Sequence, residues 1–129
     1  SAPTILTPHD GEFRRLTGAA PAPDRFSAAR ELAASTAAIV LLKGPVTIVA
    51  DPAGRVLAAA AGDERLATAG SGDVLAGVIG ALLAVDTPPV EAAAAAAHVH
   101  GLAGRAGPRV GTVAGDLPDL VAHTLSRLT

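Results

Sequence analysis

The stretch Ala67-Thr68-Ala69-Gly70-Ser71-Gly72-Asp73-Val74-Leu75-Ala76-Gly77 sets small residues ahead of an apolar run of helical length. Such a backbone can turn consecutive N–H groups toward one point at the positive end of a helix dipole, the physical recipe for an anion site. Asp73 is the anomaly, a carboxylate placed where an anion is favoured. Held by those amides it stays ionised, and it could take a proton from a substrate hydroxyl beside a bound phosphate. A second reading stays open on the loop alone: an ordinary helix whose first turn begins with glycines and an acidic residue, because short glycine motifs recur by chance. Ser71 is not the nucleophile of a Gly-x-Ser-x-Gly elbow, since Ala69 and Asp73 stand where glycines belong. No Gly-Lys-Ser/Thr follows, so this is not a P-loop. A phosphate bound here would be held by backbone amides, with Lys43 as the nearby lysine candidate.

Lys43-Gly44-Pro45-Val46-Thr47 follows a continuous apolar run, and Lys43 is the only lysine of the chain. Ligands of open α/β sheets bind beyond the carboxyl ends of strands, so Lys43 could meet a phosphate or ribose there and Thr47 could add a hydroxyl. A lysine snorkelling from the core edge is the simpler reading of the segment by itself. His9, in a turn between Pro8 and Gly11, could bind a polar substrate or exchange protons near neutral pH; it could equally cap a helix. His98 and His100 are two apart and point to different faces of a helix, whereas helical zinc ligands want a spacing of four. No third ligand is visible, so a metal centre is not expected. His100 reads as a packed or helix-end residue and His123 as part of a solvated face.

The elements that must position these groups follow from hydrophobic period and turn chemistry. Strands are predicted near 4–7, 38–43, 46–50 and 55–60, with the second buried on both faces. Asp51-Pro52-Ala53-Gly54 is a turn signal that makes 46–60 a hairpin. Helices are predicted near 9–17, 24–35, 72–84, 89–105 and 115–127. Gly18 closes the first and Asp24 caps the second, which presents Phe26, Ala29, Leu32 and Ala33 at helical spacing. The third is apolar nearly all round and reads as buried, with Gly77 and Gly80 permitting close neighbours. Six consecutive alanines, Ala92 to Ala97, form a high-propensity helix packed at short distance. The outcome is a three-layer α/β arrangement.

At 129 residues, half of them hydrophobic, the chain can bury a core, although Phe13 and Phe26 are its only aromatics. A net charge of −2 provides no basic stripe for nucleic acid. Without cysteine there is no disulfide, thiolate catalysis or Cys-bound metal. No signal pattern is evident and no apolar run suits a membrane span, so the expectation is a soluble, cytoplasmic protein.

Three separated segments, taken together, resemble the NAD(P)H-hydrate dehydratase family of the ribokinase-like superfamily. They are Leu6-Thr7-Pro8-His9-Asp10-Gly11-Glu12-Phe13, Leu42-Lys43-Gly44 with Thr47, and Leu66 to Gly77; His100-Gly101-Leu102-Ala103-Gly104 and Gly115-Asp116-Leu117 extend the likeness. The resemblance implies a ribokinase-like α/β/α sandwich and repair of damaged nicotinamide cofactor. Hydrated NADH or NADPH would be dehydrated at the expense of ADP or ATP, with Mg2+ accompanying the nucleotide, by phosphorylation of the ring hydroxyl and elimination of phosphate. It further implies that Asp73 is the base and contacts the hydrate together with His9. Lys43, Gly44, Pro45, Val46, Thr47 and Gly72 would bind the adenine nucleotide. Ala69, Gly70, Ser71 and Gly72 would form the anion hole for the transferred phosphoryl group.

Two positions depart from the family pattern: Asp10 stands where the family usually has proline, and Pro45-Val46 where it has a small pair. Family domains are about twice this length on domain-size grounds, and residues 1–129 align with the C-terminal portion, so an N-terminal half is expected to be missing and the chain alone to turn over little. A half sheet leaves an open edge, which predicts self-association into a homo-oligomer. A vitamin-precursor kinase of the same superfamily and a non-catalytic nucleotide-binding remnant are the competing readings.

Overall fold

The computed structural model describes residues 3–59, 71–106 and 119. Four strands, β1 (Ile5–Leu6), β2 (Ile39–Leu42), β3 (Thr47–Ala50) and β4 (Val56–Ala59), form one sheet in that spatial order. β1 and β2 run parallel with Ile5 opposite Ile39. β3 pairs antiparallel with β2, Leu41 opposite Val49, and β4 pairs antiparallel with β3, Val49 opposite Leu57. The predicted 46–60 hairpin is therefore present, closed by Gly54 at φ 98° and by the Asp51 carboxylate, which accepts the Arg55 N–H at 2.9 Å.

The pleat of β2 sorts its side chains onto two cores. Val40 and Leu42 join Phe13, Ala28, Ala29, Leu32 and Ala33 from helices α1 (Asp10–Thr17) and α2 (Arg25–Thr36). Ile39 and Leu41 face the opposite way, against Leu75, Ile79, Val90 and Ala93 of α3 (Ser71–Ala84) and α4 (Pro89–Ala106). All four residues of β2 are buried, which is why the sequence shows an unbroken apolar run there in place of alternation. The three-layer arrangement follows directly: helices on both faces of one sheet. The predicted helix at 115–127 lies outside the described residues.

Local caps behave as their chemistry requires. Asp24 accepts the Ser27 N–H and hydroxyl and starts α2. Gly18 ends α1 at φ 88°, with open space where a Cβ would stand. Because only backbone strain is at stake there, Gly18→Ala is expected to destabilise by about 1 kcal/mol, read as a lower urea midpoint at unchanged m-value.

Two packing expectations need correction. Phe26 is exposed, and the buried stripe of α2 is Ala28, Ala29, Leu32 and Ala33. α3 is not buried all round: Leu75 and Ile79 are buried, but Ala76, Gly77, Gly80 and Ala81 are exposed, and a Cβ added at Gly77 or Gly80 would meet nothing within 4 Å among the described residues outside the helix's own turn. Small residues count as apolar in a periodicity, yet their few carbon atoms make exposure cheap. α4 meets its expectation, with Ala92, Ala93 and Ala96 fully buried.

Candidate active site

β1 and β2 are parallel, so their carboxyl ends open on the same side of the sheet, and the backbone binds those ends together. Lys43 N–H donates to the Pro8 carbonyl at 2.9 Å. β3 runs the other way and begins at that side with Thr47, while β4 finishes there with Ala59. A cavity of about 80 Å3 results, lined by Lys43, Gly44, Thr47, Ala59, Leu75, Ala97 and His100. That volume accepts one polar group, well short of the several hundred Å3 a whole nucleotide requires.

The start of α3 stands beside this cavity. A Cβ on Gly72 would approach Lys43 Nζ to 3.0 Å, so the ammonium occupies the space a side chain would fill. Asp73, the next residue, is exposed in the first turn of α3 and makes no hydrogen bond or ion pair with another described residue. A carboxylate at that end of a helix is favoured by the dipole and remains available to a ligand. Thus Lys43, Gly44, Thr47 and Gly72 meet, with Asp73 adjacent. Pro45 and Val46 are exposed and do not line the cavity. Ala69 and Gly70 of the expected anion hole lie outside the described residues; Ser71 opens α3.

His9 takes the capping role. Its Nδ1 accepts the Glu12 N–H at 3.1 Å, and Glu12 Oε1 accepts the His9 N–H at 3.1 Å, a reciprocal capping box. With Nδ1 accepting, the neutral ring carries its proton on Nε2, 3.3 Å from Glu12 Oε1. The same carboxylate oxygen stands 3.7 Å from Lys43 Nζ. Glu12 therefore joins His9 to Lys43 and bridges two segments that the sequence separates widely. The backbone hydrogen bond from His9 is the largest influence holding the Glu12 carboxyl below its ordinary value of 4.5; desolvation opposes it, and the Lys43 and Arg15 charges add to the lowering. A depressed folded pKa contributes stability above the unfolded value and loses it as pH falls. Glu12→Gln can keep the capping box but not the charge, so it is expected to lower Tm slightly at pH 7 and to flatten the decline below pH 4.5, where the two proteins converge.

Sequence reasoning gave two participants no part in the site, although it read His100 correctly as packed. His100 is buried at the cavity wall; its signal was a polar residue inside an apolar, alanine-rich helix. Arg25 contacts the carbonyl of Lys43 at 2.9 Å; its signal was a cation at the first position of a helix, where the dipole opposes it.

The model of the family described as NAD(P)H-hydrate dehydratase matches residues 1–127. The chain belongs to the NAD(P)H-hydrate dehydratase family. Among its relatives in this family, the bifunctional NAD(P)H-hydrate repair enzyme of Mycobacterium leprae is 53% identical, aligned over 99% of this chain and 28% of the relative. The ADP-dependent (S)-NAD(P)H-hydrate dehydratase of Neisseria meningitidis is 43% identical over 97% of this chain and 45% of that protein. A crystal structure of the ADP/ATP-dependent NAD(P)H-hydrate dehydratase of Bacillus subtilis, co-crystallised with ATP and Mg2+, superposes with a TM-score of 0.92 at 32% identity, covering 98% of this chain and 48% of that one. The fold is accordingly the ribokinase-like α/β/α one expected from the resemblance, and the chain spans about half or less of the length of the relatives it matches. Among the described residues no helix is long and apolar enough to cross a membrane.

Proposed function

We propose that this chain is the C-terminal portion of a cytoplasmic, homo-oligomeric enzyme that dehydrates hydrated NADH or NADPH at the expense of ADP or ATP. The observation that carries the proposal is the meeting of Lys43 Nζ with Gly72 at the start of α3, one residue before an exposed Asp73 that has no ion pair among the described residues. Lys43, Gly44, Thr47 and Gly72 fit the phosphate end of a nucleotide: an ammonium, a hydroxyl and a helix N-terminus converge where a glycine leaves room. Pro45 and Val46 would meet the nucleotide outside the cavity, and the anion hole would include Ala69, Gly70 and Ser71 with Gly72.

In this reading Asp73 takes the proton of the ring hydroxyl as its oxygen attacks the terminal phosphoryl group and displaces AMP from ADP, or ADP from ATP, and His9 orients the hydrate. The phosphorylated ring then eliminates phosphate, its C–O bond breaking as the neighbouring ring carbon gives up a proton to water, which restores the double bond of the dihydronicotinamide. Little covalent work falls to the protein, so catalysis is positioning plus electrostatics. Mg2+ suits the donor set only as a companion of the nucleotide's phosphates, whose charge it would neutralise, because no group of three or more His, Cys, Asp or Glu gathers among the described residues. The test is a coupled assay of the protein as encoded, following the return of the near-ultraviolet absorbance of the reduced cofactor with release of phosphate. A stable phosphorylated product without phosphate release would move the reading to a small-molecule kinase. Nucleotide binding without turnover of either kind would move it to a binding remnant.

A further inference from the structure

Arg25 stands directly after the Asp24 cap, and the first turn of α2 holds no acidic residue to balance it. A cation there is disfavoured by the dipole, yet the guanidinium reaches two other elements at once. Nη1 donates to Asp10 Oδ1 at 2.8 Å, and Nη2 donates to the backbone carbonyl of Lys43 at 2.9 Å. The N–H of the same Lys43 donates to the Pro8 carbonyl. Both backbone polar groups of Lys43 are therefore tied, one to the end of β1 and one to the start of α2. A Cβ on Gly44 would lie 2.7 Å from Arg25 Nη2, so the following residue is also shaped around this guanidinium. Arg25 Nε is buried with no hydrogen-bond partner among the described residues. An unmade bond of that kind is tolerated where the other arms more than offset it.

We infer that Arg25, oriented by Asp10, is a positioning residue that fixes the Lys43–Gly44 turn so that the Lys43 ammonium and the Thr47 hydroxyl face the cavity beside α3. The consequence for nucleotide binding rests on the function proposed above; the positioning itself does not. A lysine could not replace Arg25, because a compact ammonium cannot present two donors in one plane to acceptors on separate elements. Asp10 also gains a purpose. A proline at that position would offer no side-chain acceptor, whereas the Asp10 carboxylate sets the angle of the fork.

The test compares the protein as encoded with Arg25→Ala, Arg25→Lys and Asp10→Asn, reading amide hydrogen exchange at Lys43, Gly44 and Thr47 together with ADP affinity by calorimetry. In Arg25→Ala these amides exchange faster while Val49, mid-strand in β3, keeps its protection. The Kd and KM for ADP rise by about tenfold, as loss of a charge-assisted bond predicts, while kcat and the KM for the hydrated cofactor hold. Arg25→Lys recovers little of this, and Asp10→Asn shows a weaker change of the same kind, which keeps the inference testable if Arg25→Ala does not fold. Gly44→Ala weakens ADP binding in the unmodified protein but adds nothing in the Arg25→Ala background, since the atom it collides with is gone. Unchanged exchange and affinity in the Arg25 variants, or additive effects of Gly44→Ala and Arg25→Ala, would overturn the inference. If the unmodified protein binds no ADP, the nucleotide reading fails and the exchange comparison alone decides the positioning.

Discussion

Asp73→Asn is expected to lower kcat for dehydration by about 10²–10⁴-fold, the range spanned by losing a positioned general base, with Tm nearly unchanged. The stability half of the expectation follows from exposure: Asp73 is accessible and makes no hydrogen bond or ion pair with another described residue. Asparagine has the same shape and forfeits only the interaction of a charge with the first turn of α3, about 0.3–1 kcal/mol at a surface site. The kinetic half follows from chemistry. An alcohol oxygen attacks phosphorus well only if its proton has somewhere to go, and an amide cannot receive it. ADP affinity should hold or improve, because a negative charge is removed from beside the proposed phosphate site. Steady-state kinetics with both substrates varied reads these effects apart. Retained dehydration together with lost nucleotide binding would remove Asp73 from its assigned role.

Why the architecture could be read from the sequence, and the site only in part, has a physical explanation. β2 was legible because four consecutive buried residues leave an unbroken apolar run bounded by Gly44-Pro45. The 51–54 turn and the Asp24 cap were legible because their chemistry acts within four residues. Lys43 stood out as the sole lysine at a strand end, and Asp73 as a charge among small residues. The open face of α3 was not legible, since alanine and glycine satisfy an apolar pattern whether or not anything covers them. Phe26 misled for the related reason that an aromatic at helical spacing looks like core. The contacts of Arg25 join positions 15 and 18 residues away. A local pattern cannot register such pairings; they exist only once α2 has been laid against the sheet. His9 illustrates the remaining difficulty: capping and substrate binding use the same imidazole, and the capping box with Glu12 occupies Nδ1 while Nε2 stays beside a carboxylate.

Lys43→Ala carries the second large expected effect, a rise in the Kd for ADP of about 10–100-fold, corresponding to the roughly 1.5–3 kcal/mol of a hydrogen bond to a charged group. The placement of the side chain makes the loss specific. Lys43 Nζ lies where a Gly72 Cβ would be 3.0 Å away and 3.7 Å from Glu12, so it is held at the helix start while part of its charge is matched by the carboxylate. An arriving phosphate completes that matching, and Glu12 keeps the ammonium from wandering in its absence. Arginine should not restore binding, because the planar guanidinium is wider than an ammonium and the space beside Gly72 suits a point charge. Gly72→Ala should produce a smaller loss of the same kind, since the end of a flexible lysine can retreat by a few tenths of an ångström. Calorimetric titration of both variants with ADP, and with AMP as the analogue lacking the terminal phosphate, locates the contact. A Lys43 that grips the terminal phosphate loses ADP affinity far more than AMP affinity on substitution. Equal losses for the two would place its ammonium on the phosphate that both nucleotides share.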